Sequence, residues 1–128
     1  MAKLVPDAQL DAMLLILIEN TDRIDVCQDT PTTYANATTG GTHSLGNVAV
    51  TAGVGSDWSQ AAGDTSGRKV TLAEQTGVTV TDSGTATHIA GTDGSSVLYF
   101  VTTCTSQAVT DGNTMTINTF DIELQDAA

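Results

Sequence analysis

Positive charge is what this chain has least of: four lysines and arginines stand against fifteen aspartates and glutamates, a formal net charge of −11. Nucleic-acid binding uses Lys and Arg to displace the counterions of phosphates, and attachment to anionic lipid needs a basic cluster. Neither nucleic acid nor a membrane is therefore an expected partner. Cysteine is scarcer still. Cys27 and Cys104 are too few and too far apart for a zinc site or a disulfide scaffold, and both are expected as reduced, mostly buried thiols. The sequence also lacks long apolar runs. Met13–Ile18 is wholly apolar but far short of the ~20 residues that cross a bilayer. Asp7 and Asp11 before it, and Glu19, Asn20, Thr21 and Asp22 after it, are the wrong flanks for a signal peptide. The expectation is a chain made and kept in a cytoplasm, leaving it by lysis or inside an assembly. Asn36–Thr38 then fits the glycosylation sequon by chance.

What the chain does have is threonine, at twenty-three positions. Thr is β-branched, which suits strands, and polar, which suits the wet face of a half-buried sheet. At 128 residues the expectation is a single domain, residues 1–128. It divides into an N-terminal helical segment (1–22), a strand with a long wrapping tract (23–67) and a strand-rich core (68–128). Pro6 and Asp7 suit a helix start, and Leu10, Met13, Leu14, Leu17 and Ile18 follow helical spacing up to a stop at Asn20. Leu15 and Ile16 lie off that stripe, so this helix needs cover on more than one side. From Arg23 the period changes to two, with Ile24 and Val26 on one face and Arg23, Asp25 and Cys27 on the other. The Thr/Ala/Gly/Ser tract after Pro31 reaches about Gly67, interrupted only around Val48 and Val50, and is expected to wrap over a surface, with Tyr34 and Trp58 as its anchors.

Beyond residue 67 come alternating segments through Val70 and Leu72, then Val78 and Val80, then a hairpin whose turn carries Asp93-Gly94. Val97–Val101 leaves no polar face, which predicts a strand buried on both sides by the helix or another subunit. In the last segment Met115 and Ile117 have odd parity while Phe120, Ile122 and Leu124 have even. That slip predicts a bulge near Asn118 and Thr119. The fold class is mainly β, an antiparallel β-sandwich or jelly roll with one N-terminal helix.

Reactive constellations are hard to find. His43 and His88 each lack a second ligand at helical or hairpin spacing, and there is neither a nucleophile elbow nor a phosphate loop. Asp93 and Asp111 belong to turns, with Asp93 at most a weak calcium ligand, and Asp121 and Glu123 alternate with core positions as a solvated face. No catalytic residue, cofactor or metal is expected, and the chain reads as a non-enzyme. Assembly stands out instead: Leu15, Ile16, Tyr34 and Trp58 are the interface candidates, large apolar groups that either meet a partner or cap the chain's own core.

The order of segments resembles small virion structural proteins of tailed bacteriophages. Gly84, Thr85, Thr87 and His88 match a G-T-x-T-H pattern, and Ala108, Val109, Gly112, Asn113 and Thr114 match A-V-x-x-G-[DN]-T. The likeness covers about the last 45 residues well and the N-terminal helix loosely. It implies a capsid decoration (cement) protein that sits on the outer surface of the head, commonly as a trimer, binds the major capsid protein and clamps neighbouring capsomers. An acidic domain suits that surface better than the DNA-filled lumen. The alternative is a tail or fibre-associated protein acting in host attachment through loops such as Thr38–His43.

Overall fold

The computed structural model describes residues 6–125, which are mainly β, with antiparallel sheets and an N-terminal helix. Helix α1 (Asp7–Asn20) begins after Pro6, whose carbonyl accepts from the amides of Gln9 and Leu10. It ends at Thr21, whose backbone N–H and hydroxyl both donate to Leu17 O. Of its residues Leu10, Leu14 and Ile18 are fully buried, one row at i, i+4 spacing, with the helix packed over the strand Arg68–Leu72. Asp11 anchors this packing: its carboxylate accepts from Arg68 Nε at 2.7 Å and its carbonyl from Gln60 Nε2 at 3.1 Å.

The first sheet has the order β2 (Ser44–Ala49), β1 (Arg23–Cys27), β6 (Gly84–Thr92), β7 (Leu98–Val109). Strand β1 is central, with both edges paired, and side chains on both of its faces are buried. Ile24 and Val26 enter the main core, while Cys27 joins Ala90 and Ala37 in a smaller cluster on the opposite side. Ala37 belongs to a short helix α2 (Tyr34–Thr38), whose cap is the Thr33 hydroxyl accepting from Asn36 N. Asp25 is fully buried and held by Arg23 (2.8 and 3.1 Å) and the Ser44 hydroxyl (2.7 Å).

Opposite lie β3 (Trp58–Ala62), β4 (Arg68–Leu72) and β9 (Phe120–Leu124), continued by a two-stranded ribbon of β5 (Gln75–Thr79) and β8 (Thr114–Ile117). Leu72 pairs with Phe120 and Gln75 with Ile117, so the β4–β5 and β8–β9 segments run side by side with a break in each. One hydrophobic cluster takes Leu14, Ile24, Trp58, Val70, Val78 and Ile89 from six different elements. Backbone contacts join the sheets along one flank: Gly46 of β2 bridges Val80, and Leu45 O accepts from the amides of Thr81 and Asp82. Gly46 permits this approach, because a Cβ there would stand 2.8 Å from Met115 Cε and 2.5 Å from Thr79 O.

Three expectations are corrected. The tract after Pro31, expected to be interrupted only around Val48 and Val50, contains α2, β2 and β3. Strand β2 is held by pairing with β1, a long-range contact that its weak pattern, Ser-Leu-Gly-Asn-Val-Ala, does not reveal. The bulge expected at Asn118–Thr119 is a break between two strands, β8 pairing with β5 and β9 with β4. The parity slip marked a change of partner. Finally, Val97–Val101 is not buried on both sides within the chain: Val97 is exposed and Leu98–Val101 are half-buried, because β7 is an edge strand.

Candidate functional site

Strand β7 ends its sheet, and β8 ends its ribbon. The two are joined by the turn Thr110–Asn113, yet they do not pair. The turn is drawn elsewhere: Gly112 N donates to Val80 O, Val80 N to Asn113 O, and Asp111 N to the Ser83 hydroxyl. Gly112 supplies the positive φ of 89° that this path requires. The strands diverge from that turn, and between them opens a cleft of about 240 Å³.

The cleft has an apolar floor from Val26, Ala86 and Ile89, with Ile117 and Phe120 on the opposite wall. Its rims are consecutive residues, Thr103, Cys104 and Thr105 on one side and the stretch from Met115 to Phe120 on the other. Gln107 and Val109 line it at alternate positions, and with Val26, Ala86 and Ile89 of β1 and β6 they place the cleft against a face of the first sheet, the consecutive Thr103–Thr105 falling where the β6–β7 register shifts. No lining residue is charged, although the chain carries fifteen acidic groups. Opposite Cys104, β7 is irregular: His88 pairs with Thr103 and Ala86 with Gln107, so Thr87 alone stands against Cys104, Thr105 and Ser106. Such a bulge bends an edge and breaks its regular ladder.

The interface candidates do not converge. Ile16 is 63% exposed on the outer side of α1, one turn from the half-exposed Met13, whereas Leu15 is half-buried against the core. Tyr34 is half-buried on α2, near enough to Arg23 to help hold its guanidinium pKa up, after the larger effect of Asp25. Trp58 is 1% exposed and fills the chain's own core, edge to face with Phe100 at 6.2 Å. Of the two roles open to a large aromatic in that tract, the geometry gives Trp58 the inward one.

The titratable residues are spread as widely. His88 contacts the hydroxyls of Thr30 and Thr87, and His43 meets the Asp29 carboxylate. Asp93 Oδ1 accepts from the amides of Ser95, Ser96 and Val97 at 2.8–3.0 Å, and these bonds hold its pKa below the usual carboxylate range. Asp121 is lowered likewise, first by the Thr71 hydroxyl and then by Lys69. Cys27 donates to Ala37 O at 3.6 Å, and burial, reinforced by Asp25 and Asp29, pushes its thiol up to about 12. Cys104 is also raised by burial, and the two cysteines form no disulfide. Among the described residues no group of three His, Cys, Asp or Glu side chains is placed to hold a metal, and no helix is long and apolar enough to cross a membrane.

Sequence reasoning missed the cleft. Two signals bordered on it: the parity slip at Asn118–Thr119, and the absence of charge between Asp93 and Asp111. The chain matches no known protein family, no curated protein and no solved structure.

Proposed function

We propose that this chain is a non-enzymatic virion structural protein of a tailed bacteriophage, a capsid decoration protein on the outer surface of the head. It binds the major capsid protein, stabilises contacts between capsomers, and associates with copies of itself. The finer architecture belongs to the same reading: a β-sandwich of jelly-roll type, opened along one flank. The viral origin is proposed on the sequence pattern at Gly84, Thr85, Thr87 and His88 and at Ala108, Val109, Gly112, Asn113 and Thr114.

The observation that carries the assembly part is the outer row of α1. Met13 and Ile16, 50% and 63% exposed, place two large apolar side chains one helical turn apart on a strongly acidic molecule. A surface of that charge keeps copies apart except where an uncharged contact is provided.

Immunogold electron microscopy on particles from a lysate of cells carrying the gene tests the reading. Gold spread over heads is expected. Gold confined to tails would move the protein to the attachment apparatus, and unlabelled particles would overturn the virion-surface assignment. Self-association is tested by dilution: the melting temperature of an oligomer falls with concentration, and a midpoint unchanged over a hundredfold range refutes it.

A further inference from the structure

We infer that the outer face of α1 pairs antiparallel with the same face of a second copy, about a two-fold axis at Ala12. This deepens the self-association part of the proposed function and rests on it.

Opposite the buried row of Leu10, Leu14 and Ile18, the helix carries a second row at i, i+4 spacing: Ala8, Ala12, Ile16 and Asn20, all exposed, with Gln9 and Met13 exposed beside it. The small residues of this row stand in the N-terminal half of the helix and Ile16 in the C-terminal half. Antiparallel pairing about Ala12 therefore seats Ile16 of each copy over Ala8 of the other, and the facing alanines allow an approach near the lower end of the usual ~8–10 Å between helix axes. The apolar patch continues past the helix, since Gly53 N donates to Ile18 O and brings Val54, 58% exposed, to its C-terminal end. Of the four large apolar side chains that stand exposed among the described residues, three thus belong to α1 or to the loop docked on it.

Charge sets both the occupant and the direction. At −11, two copies repel wherever their acidic surfaces meet, and this face is nearly free of acids. Asp7 and Asp11 stand seven residues before Leu14 and Ile18, on the inner side of the helix, and Asp11 is paired with Arg68. Glu19, near the C-terminal end, is the one charge bordering the outer row. Antiparallel pairing brings Glu19 toward the N-terminal end of the other helix, where the dipole favours negative charge. A parallel arrangement, as around a three-fold axis, would bring the Glu19 carboxylates together. A foreign partner drawn by the acidic surface would bring basic groups, for which this face has a single carboxylate; the surface that fits it in both shape and charge is its own copy. One helix pair buries less than the ~1,200 Å² of stable interfaces, so the contact is weak in dilute solution and is held where copies are crowded, as on a shell.

Disulfide trapping tests the arrangement. In the full chain carrying Cys104→Ser, the remaining Cys27 is buried, and Ala8→Cys, Ala12→Cys or Ile16→Cys then places one accessible thiol on the face. Under copper-phenanthroline oxidation, Ala12→Cys is expected to form a covalent dimer at least tenfold faster than Ala8→Cys or Ile16→Cys alone. A mixture of the Ala8→Cys and Ile16→Cys proteins is expected to form the mixed dimer at least tenfold faster than either forms its own. Adding Ile16→Asp, at a 63% exposed position, should abolish trapping through Ala12→Cys while leaving the melting of dilute protein unchanged. Trapping of Ile16→Cys with itself as fast as Ala12→Cys would replace the antiparallel pair with a parallel one and overturn the inference. Trapping of Ala12→Cys no faster than of Thr42→Cys, an exposed position away from α1, would remove this face as an interface. Sedimentation of wild type separates the two levels: a concentration-dependent oligomer without Ala12→Cys trapping overturns this arrangement alone, and a monomer at every concentration without trapping overturns self-association with it.

Discussion

Replacing Gly91 with alanine tests how tightly the open side of the molecule is packed. Gly91 lies in β6 opposite Phe100, and a Cβ built there falls onto the Phe100 ring, with Cζ at 2.6 Å and Cδ1 at 2.7 Å. The ring cannot swing away freely, because Trp58 packs edge-on at 6.2 Å and Phe120 lies at 5.9 Å. Two effects oppose each other. Alanine restricts the unfolded chain and favours folding by about 0.4–1 kcal/mol where the native conformation accepts it, and Gly91 does not have positive φ. Overpacking costs about 1–3 kcal/mol. The clash wins, leaving a net loss of about 1–2 kcal/mol. For a chain of this size that is roughly 4–8 °C in Tm, at about 4 °C per kcal/mol. The assay is thermal unfolding followed by circular dichroism, for wild type, Gly91→Ala, Phe100→Leu and the double variant. A smaller residue at 100 relieves the clash, so the expected coupling between the two sites is at least about 1 kcal/mol. An unchanged Tm for Gly91→Ala, or strictly additive losses in the double variant, refutes the packing of Phe100 against Gly91.

Two further outcomes follow from the titrating groups. Cys27 stays neutral in the folded protein up to about pH 12, whereas an unfolded cysteine ionises near 8.5. Its contribution to stability is therefore complete below about pH 8.5 and declines as pH rises toward 12, and Cys27→Ala should flatten that alkaline decline in urea titrations. Asp93 has the opposite sign: its lowered pKa means that its stabilising bonds are present above about pH 4 and are lost as pH falls. Amide exchange at Ser95, Ser96 and Val97 should accelerate in Asp93→Ala and, in wild type, under acid, and equal protection with and without the carboxylate would contradict this account of the turn.

Local patterns were legible where local physics decides. The helix from Asp7 to Asn20, the strand from Arg23 to Cys27 and the Asp93-Gly94 turn occur where proline, alternation and positive φ place them. The turn differs in detail, since the Asp93 side chain staples a loop reaching Val97 and not a two-residue turn. Strand β2 showed in the sequence only as the interruption around Val48 and Val50, because its one fully buried apolar side chain is Leu45 and its existence depends on pairing with β1 across some twenty residues of chain. Trp58 was ambiguous for a related reason. A lone aromatic in a polar tract is drawn equally to a partner's pocket or to its own core, and only the position of Phe100 and Leu72 resolves the choice.

The sequence alone determined the charge of −11, the dominance of strands and the chain's punctuation into turns, because these depend on composition and on neighbours a few residues apart. Only the tertiary structure decided which strands stand at the edges. The change of partner at Asn118–Thr119 and the turn held by Val80 and Ser83 keep β8 from pairing with β7. An edge is defined by the absence of a neighbour, a property of the whole packing that no local pattern encodes.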